Sequence, residues 1–425
     1  MSKAKEINNN KNLLYYYKFI YDEVFEYFKI QNCENERFRY LGRKNKGLDF
    51  FQFTFLINIL TYIYNNFIIK KISKKHKSKF VILFLADPII YKDLITDLNI
   101  NILVFITNPF KNIFRRLNTH SLLLKDVTEN LVSAFEENNL IYLQNAISKI
   151  EILLKSSKID FIVLNDSIHP LNRALILVSK KLNITTIEIQ HAIYPSEMIL
   201  MKGLGPDFVF VWGNFFKNMY ISQNVRESNT VKVLGYPFKL FKEKNQKKSK
   251  KIILYYLAQG FHLQNINNLD ILLSNALFLK NLCEELNVDF RCRLHPNSPK
   301  ILLDKVVPHI NCTPKNETLE DSILNGDIFV SFNSTALIQA ELNNKICLQL
   351  INIPVETDNF EKLGTSIKSF YNINDLEKYI IHLIDNFEKY NLNKKRNNEY
   401  VQIFTENPGN KFEILISEIL KTKTV

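Results

Sequence analysis

The stretch that decides the fold reads Phe161-Ile-Val-Leu164, then Asn-Asp-Ser-Ile-His-Pro170, and after a helical pattern it continues as Thr185-Thr-Ile-Glu-Ile-Gln-His191. Two short apolar, β-branched runs are each followed at once by polar residues. This is the pattern of a strand, a crossover helix and a second parallel strand. Strands of a parallel sheet are covered on both faces and are therefore nearly continuous in apolar residues. The stretch predicts an α/β fold built on a parallel sheet.

The same alternation of strands and helices continues on both sides. A polar, strongly basic segment, 239–251, separates two such series and is the best candidate for a linker. Two series predict two doubly wound α/β domains facing each other across a cleft, because each parallel sheet needs helices on both faces. The predicted strands are 80–85, 102–106, 161–164, 185–189, 208–211 and 231–234, then 252–257, 289–294, 328–331 and 346–350. Helices of the second series are predicted near 267–286, 318–324 and 335–343.

Both ends of the chain have helical patterns. Residues 11–78 are rich in aromatic and aliphatic residues at helical spacing and predict two helices. Within them, 50–69 is apolar, but Gln52 and Asn58 interrupt it, which favours a buried helix over a membrane span. The predicted organisation is a helical N-terminal segment over 1–78, Rossmann-like domains over 79–240 and 252–375, and C-terminal helices over 376–425 with a break at Pro408.

Composition excludes several classes of protein. The chain has 425 residues, of which 46% are hydrophobic, and only 10 Gly and 12 Pro, which excludes collagen-like and fully disordered chains. The 5 cysteines are an odd number without a CxxC pair and imply neither a disulfide framework nor a zinc cage. The N-terminus lacks the apolar core of a signal peptide, so a cytoplasmic location is expected.

The chain is basic, with a formal net charge of +12. The excess is concentrated in segments 70–79 and 242–251, which predict solvated surface or a peripheral contact with anionic lipid at the inner face of the membrane. Nucleic acid is not expected as a partner, because no binding motif is recognisable and no aromatic residues interleave with the basic runs.

Polar residues gather at the ends of two predicted strands in the first series. The carboxyl ends of parallel strands line the ligand crevice, so Asp166 and His191 are predicted to emerge on one rim. A carboxylate or imidazole there can take a proton from an acceptor hydroxyl, and Asp166 can orient the imidazole. The alternative is structural, with Asp166 as a helix cap and His191 as a hydrogen-bonded core residue. His169, in the same loop, is a second candidate imidazole, although His191 is preferred.

A second polar group follows strands of the second series. Strand 289–294 carries Arg293 and ends at His295, and strand 328–331 runs into a helix at Ser334-Thr335. A helix N-terminus has partial positive charge and unpaired N–H donors, so it can hold a phosphate, which Arg293 and His295 would help to neutralise. The alternative is an ordinary helix cap.

Two further positions could contact a ligand in the second series. At Gln259-Gly260 the backbone could approach a ligand closely, although a plain turn fits equally well. Glu341 could accept hydrogen bonds from a ribose or belong to a polar helix face. No nucleophile elbow, Walker loop, GxGxxG or HExxH pattern is present. Because no Asp-x-Asp pair lies near these sites either, neither a metal nor another cofactor is expected.

The order of these motifs resembles the bacterial surface-polysaccharide glycosyltransferases of the GT-B type, over about residues 160–350. The resemblance rests on motifs at strand ends in both series. They are Asn165-Asp-Ser167 with Arg173, Gln190-His191, Asp207-Phe-Val-Phe-Val-Trp212-Gly213, Gly235-Tyr-Pro237, His295-Pro296 and Ser334-Thr335. The family turn Gln-His-Gly reads Gln190-His191-Ala192 here, and Arg-Pro-His-Pro reads Arg293-Leu-His295-Pro296.

The resemblance implies a role for each domain. The His-Pro and Ser/Thr motifs are similar to those with which sialyltransferase-like and Kdo-transferase-like enzymes bind the cytidine nucleotide of a CMP-activated sugar, and related motifs occur in transferases that use CDP-glycerol. The second domain would bind the donor, and the first would bind the acceptor and supply the base, Asp166 or His191. The implied acceptor-binding residues are Arg173 and Gln190. The donor-binding set is Gln259, Gly260, Arg293, His295, Pro296, Asn333, Ser334, Thr335 and Glu341.

The sequence therefore predicts a glycosyltransferase of surface-polysaccharide synthesis. It would move a sugar, best a CMP-activated acidic sugar such as a sialic acid or Kdo, from a nucleotide donor to a glycan or lipid-linked acceptor by direct displacement. CDP and UDP donors remain open. The alternatives are a CDP-glycerol-type polyol-phosphate transferase, a sugar-nucleotide epimerase or hydrolase of the same fold, and a noncatalytic GT-B-like binding protein.

Overall fold

The structure is a computed structural model that describes most of the two predicted domains. The described residues are 12–22, 81–84, 94, 101–106, 120–123, 125–157, 159–191, 205–222, 226–237, 241, 251–258, 266–295, 310–314, 316–353, 357, 359–362, 365–392 and 408–423. They fall into two compact units. Residues up to 191, together with 205–237 and 408–423, form the first unit, and residues 241–392 form the second.

The first unit is built on seven parallel strands in the order β3-β2-β1-β4-β5-β6-β7. The strands are β1 Val81–Phe84, β2 Asn101–Ile106, β3 His120–Leu123, β4 Phe161–Leu164, β5 Thr185–Ile189, β6 Phe208–Val211 and β7 Val231–Val233. Its helices are α1 Lys125–Glu136, α2 Leu140–Ser157, α3 Pro170–Lys181 and α4 Asn214–Ser222. A helical segment over 12–22, which ends in a π-helical turn at Lys18–Asp22, packs with α1, α2 and α3 in one apolar core.

The second unit is built on five parallel strands in the order β12-β11-β10-β8-β9. The strands are β8 Ile253–Ala258, β9 Asp289–Leu294, β10 Ile328–Ser331, β11 Ile346–Leu350 and β12 Lys368–Phe370. The helices are α5 Ile266–Glu285, α6 Leu319–Asn325, α7 Thr335–Leu342, α8 Ile373–Asp385 and α9 Phe387–Leu392. Helices α5 and α8 cover one face of the sheet.

Each sheet reverses its strand order once, which is the mark of a doubly wound fold. In the first sheet the reversal lies between β1 and β4, and in the second between β8 and β10. Ligands of such folds bind outside the carboxyl ends of the strands at the reversal. Asp166 follows β4 and Ser334 follows β10, so each unit has candidate site residues at its reversal.

Local sequence explains how the connections are made. Pro170 begins α3, where its fixed φ suits the first helical turn and its missing N–H leaves no hydrogen bond unmade. Asn183 and Asn344, which follow α3 and α7, adopt φ of 56° and 62° and so end these helices in the left-handed conformation before the next strand. The short connections place β5 and β11 directly after their helices.

The prediction of two doubly wound α/β domains is confirmed. The strands predicted at 161–164, 185–189, 208–211, 289–294, 328–331 and 346–350 have the predicted bounds. Two strands, β3 and β12, were not predicted. β12 has only three residues, of which Lys368 is exposed, so it lacks the apolar run that marks a buried strand.

The described residues of the predicted segment 376–425 are helical, and one helix begins at the predicted break, Pro408, but these helices divide between the two units. Helices α8 and α9 belong to the second unit, whereas α10, Pro408–Lys423, packs on the sheet of the first. Phe412 and Ile416 are fully buried there, in one apolar cluster with Phe161 and Ile189. The apolar face of α10 therefore completes the core of the first unit from the far end of the chain.

Several predictions lie outside the described residues. These are the second N-terminal helix, the apolar segment 50–69, the basic run 70–79 and nearly all of the linker 239–251. Among the helices that the structure does describe, none is both long and apolar enough to cross a bilayer.

Candidate functional site

The turn between β4 and α3 holds Asp166 in a fixed position. Its side chain is only 5% exposed, and Oδ1 accepts hydrogen bonds from the backbone N–H groups of Ile168 (3.0 Å) and His169 (2.9 Å). The amide of Asn172, on the first turn of α3, donates to the backbone carbonyl of Asp166 at 2.8 Å. One carboxylate oxygen is thus used to build the turn.

Two histidines lie beside the carboxylate of Asp166. β4 and β5 are parallel neighbours with Leu164 opposite Glu188, so the residues that follow the two strands meet at one edge of the sheet. Nε2 of His169 lies 4.0 Å from Oδ2 of Asp166, and the His169 side chain is 57% exposed. His191 is half-buried, hydrogen-bonds the backbone of Asn165 and interacts electrostatically with Asp166. The structure therefore brings all three candidate bases together.

The environment gives Asp166 and His191 different protonation states. Burial alone would raise the pKa of the Asp166 carboxyl, but the charges of His169 and His191 and the two backbone hydrogen bonds hold that pKa below its usual value. Burial lowers the pKa of the His191 imidazole, although Asp166 and the hydrogen bond to Asn165 oppose this shift. At neutral pH Asp166 is an anion and His191 is a neutral imidazole that can accept a proton.

Arg173, which the sequence predicts as an acceptor contact, is engaged inside the protein, and its contact with an acceptor stays a prediction. Its side chain is 1% exposed. Nε donates to the backbone carbonyl of Phe19 at 2.5 Å, Nη1 donates to that of Ser167 at 3.2 Å, and the guanidinium lies 3.8 Å from the centre of the Phe19 ring. Because Arg173 lies on the inner face of α3, its charge holds protein segments together.

Gln190, the other predicted acceptor contact, is also engaged inside the protein, and its role stays a prediction. Its side chain is fully buried, and Oε1 accepts a hydrogen bond from the backbone N–H of Trp212 at 3.0 Å. The indole N–H of Trp212 in turn donates to the backbone carbonyl of Gln190 at 2.7 Å. The pair ties the end of β5 to the end of β6 and fixes the path of the chain just before His191.

In the second unit, the helix start and His295 lie at the same edge of the sheet. Ser334 is the N-cap of α7, where its hydroxyl accepts a hydrogen bond from the N–H of Ala336 at 3.2 Å. The N–H of His295 donates to the carbonyl of Ala258 at 3.1 Å, which continues the ladder past the end of β9. β9 and β10 flank β8, so these two strands lie about 10 Å apart, at two strand spacings.

The structure gives Arg293 partners within the protein. Nη1 donates to the backbone carbonyl of Glu317 at 3.0 Å and to the hydroxyl of Ser322 at 3.1 Å, and burial lowers the pKa of the guanidinium. The side chain of Glu317 accepts from Tyr255 at 3.0 Å and from Ser322 at 2.6 Å. Arg293 thus joins β9 to the start of α6, and its phosphate contact remains a prediction.

The remaining donor-site predictions divide into two groups. Asn333 and Thr335 flank the N-cap of α7 and are half-buried, whereas Gln259, Gly260 and Pro296 lie outside the described residues. Glu341 accepts hydrogen bonds from the N–H (2.6 Å) and the hydroxyl (2.5 Å) of Ser366, and burial raises the pKa of its carboxyl. Glu341 is thereby committed in part to the protein, and its contact with a ribose remains a prediction.

Sequence reasoning missed Asn172, which supports Asp166 from the next helix. Its amide lies 3.5 Å from Oδ1 of Asn165 and 2.8 Å from the carbonyl of Asp166. Asn172 is 5% exposed. An amide side chain in the first turn of the helix that directly follows the Asp166 turn was the available signal.

Comparison with known proteins gives matches at the level of structure. No family model matches the sequence, and no curated protein matches it significantly. The UDP-GlcNAc 2-epimerase of Methanocaldococcus jannaschii is 15% identical with a TM-score of 0.53 and covers 80% of this chain and 100% of its own. A second UDP-N-acetylglucosamine 2-epimerase has 13% identity, a TM-score of 0.54 and coverages of 82% and 96%.

A third solved structure of this shape is that of Anabaena HepE in complex with UDP. It is 11% identical with a TM-score of 0.51 and covers 81% of this chain and 100% of its own. Structural matches at such low sequence identity show a shared fold, whereas the chemistry of each protein depends on the residues of its own site. The chain therefore has a GT-B-like fold of two Rossmann-type units.

Proposed function

We propose that this protein is a nucleotide-sugar-dependent glycosyltransferase whose second unit binds the donor and whose first unit activates the acceptor. The observation that carries the proposal is the cluster of Asp166, His169 and His191 at the strand-order reversal of the first sheet. A neutral imidazole beside a fixed carboxylate is suited to remove a proton from a hydroxyl group. Such a step is needed by a transferase that joins a sugar to an alcohol.

His191 is the base in this proposal, and Asp166 is the group that orients and stabilises it. One oxygen of Asp166 already accepts two backbone N–H bonds, and its low pKa makes it a weak base. His191 donates a ring N–H to the backbone of Asn165, so in the neutral form its other ring nitrogen is the proton acceptor. When His191 takes a proton, the adjacent anion of Asp166 stabilises the imidazolium.

The donor phosphate is assigned to the start of α7. The backbone N–H groups of the first turn and the partial positive charge of the helix end stabilise an anion, and His295 starts from the same edge of the sheet. The start of one helix offers a single phosphate-binding position, and a monophosphate leaving group needs only one. This favours a donor with a single phosphate, such as a CMP-activated acidic sugar, over a diphosphate donor.

Conversion of a nucleotide sugar without an acceptor is the second candidate function. Two of the solved structures with this fold are UDP-GlcNAc 2-epimerases. A buried carboxylate with two histidines can also move protons on a single sugar. A glycan or lipid-linked acceptor, and a peripheral contact with the inner face of the membrane, are part of the transferase proposal only.

Product analysis with a panel of CMP-, CDP-, UDP- and GDP-sugars tests the proposal. We expect nucleotide release that requires an added glycan or lipid-linked acceptor and is greatest with CMP donors. His191→Gln should lower the transfer rate by about 10² to 10⁴-fold and leave donor binding unchanged, because only the base is lost. Conversion of a nucleotide sugar in the absence of any acceptor would support the second candidate, and transfer at an unchanged rate by His191→Gln would contradict the assigned base.

A further inference from the structure

A buried contact joins the N-terminal helical segment to the turn that carries Asp166. Phe19, Ile20 and Tyr21 are at most 1% exposed, and they lie in the same apolar core as α3. The guanidinium of Arg173 lies between this segment and the site, with Nε on the carbonyl of Phe19 and Nη1 on the carbonyl of Ser167. Ser167 is the residue directly after Asp166.

The contact combines the charge of Arg173, the aromatic ring of Phe19 and a π-helical turn. The guanidinium lies over the Phe19 ring at 3.8 Å from its centre. Phe19 belongs to the π-helical turn Lys18–Asp22, a rare conformation that often occurs near functional sites. A buried arginine with two backbone carbonyls as acceptors is fixed in orientation, since its planar fork allows few other arrangements.

We infer that Arg173 is a positioning residue that transmits the docking of the N-terminal helical segment to the Asp166 turn and so sets the environment of His191. Neighbouring residues of α3 hold successive carbonyls of the turn, Asn172 that of Asp166 and Arg173 that of Ser167. A movement of the N-terminal helical segment would therefore displace the carboxylate of Asp166. The inference rests on the proposed role of His191 as base, but its structural part can be measured without catalysis.

The chain offers variants that separate this role from general stability. Arg173→Lys keeps the charge but cannot reach both carbonyls with a rigid fork. Phe19→Leu keeps an apolar side chain and removes the ring under the guanidinium. Tyr21→Phe is the matched control, because it changes the same N-terminal segment at a different contact. It removes the 2.6 Å hydrogen bond from the Tyr21 hydroxyl to the backbone carbonyl of Leu131 in α1. Arg173 is not a partner in that bond.

The test is an NMR titration of His191 with ¹³C-labelled histidine, run beside transfer kinetics. In Arg173→Lys and Phe19→Leu the looser turn should admit water and raise the His191 pKa by at least about 0.3 unit, a twofold change in its ionisation constant. The transfer rate kcat should fall about tenfold or more with donor KM unchanged, and Tyr21→Phe should alter neither.

The outcomes separate this inference from the proposed function. If the titration shifts in Arg173→Lys but the parent protein shows no transfer with any donor, the positioning role stands and the proposed function fails. If the His191 pKa is unchanged in both Arg173→Lys and Phe19→Leu, or shifts equally in Tyr21→Phe, the positioning role is wrong. Phe19→Leu decides the question should Arg173→Lys not fold.

Discussion

Asp166 uses its two carboxylate oxygens for different purposes. Oδ1 builds the turn by accepting two backbone hydrogen bonds, and Oδ2 faces His169 at 4.0 Å. An amide oxygen could replace Oδ1 in the turn, but an amide carries no negative charge. The structural and electrostatic roles of this residue can therefore be separated by one substitution.

Asp166→Asn should keep the fold and change the pH dependence of catalysis. The carboxylate raises the pKa of His191, so its removal should lower that pKa further and move the acid limb of the kcat profile to lower pH. The rate at neutral pH should fall, because the imidazolium loses its stabilising anion. Asp166→Ala is the comparison. It also removes the acceptor of the two backbone hydrogen bonds that build the turn, and it should therefore lower the melting temperature. An acid limb that moves to higher pH in Asp166→Asn would contradict this account.

The direction of a side chain at the site was harder to predict from the sequence than its position along the chain. The position of Asp166 and His191 at one edge followed from the parallel pattern, because successive strand ends must meet there. The direction of a side chain does not follow from that pattern. Arg173 and Gln190 lie among the site residues in sequence but point into the protein, where buried backbone carbonyls and N–H groups require partners.

Elements of the second unit meet tightly around Gly326, between α6 and β10. A Cβ at this position would lie 2.5 Å from Cζ of Phe329 and 2.7 Å from Cδ2 of Tyr255. These two rings are stacked with centres 5.3 Å apart. The hydroxyl of Tyr255 also donates a hydrogen bond to Glu317, so this side chain is fixed at its ring and at its hydroxyl. The connection therefore has room only for glycine.

Gly326→Ala should destabilise the second unit by about 1–3 kcal/mol, the usual cost of overpacking a well-filled core. Chemical unfolding monitored by circular dichroism measures the loss. In the double variant Gly326→Ala with Phe329→Leu, the smaller side chain makes room for the new methyl group. The double variant should therefore be less destabilised than the sum of the two single variants. Additive losses would show that the methyl group and the ring do not compete for space.

The elements themselves were largely predictable from the sequence. Buried parallel strands are continuous apolar runs, and ten of the twelve described strands were predicted, six of them with their observed bounds. β12 was missed because a three-residue strand with an exposed lysine has no such run. Pairing between distant parts of the chain was harder to predict, because an amphipathic helix shows which face is apolar but not which sheet covers it.

At the scale of the whole molecule, the chain returns to its first unit through α10. Phe412 is fully buried and packs edge-on against Phe210 of β6, with ring centres 5.8 Å apart. Ile414, two residues on, is 53% exposed on the other side of the same helix. The last helix is thus part of the core of the unit that contains Asp166 and His191.

Phe412→Ala should cost about 3–5 kcal/mol of unfolding free energy, because it leaves a cavity between α10 and the sheet. Ile414→Ala, in the same helix but exposed, should change stability by no more than about 0.5 kcal/mol. Urea unfolding of the two variants measures the difference. Equal effects would show that α10 does not complete this core.

Binding of a nucleotide at the start of α7 is the claim on which the proposed function depends most directly. Ser334→Asp and Ser334→Asn both preserve an N-cap acceptor, and they differ by one negative charge at the proposed phosphate site. The parent protein should be stabilised by one nucleotide of a CMP, CDP, UDP and GDP panel, by about 2.7 kcal/mol at a concentration of 100 Kd.

The decisive measurement is the Kd of that nucleotide, by isothermal titration calorimetry, for the two Ser334 variants. We predict that Ser334→Asn retains binding within a few-fold of the parent and that Ser334→Asp binds at least about tenfold more weakly, a difference of 1.4 kcal/mol. Equal affinity in the two variants, or no binding of any nucleotide to the parent protein, would contradict the account.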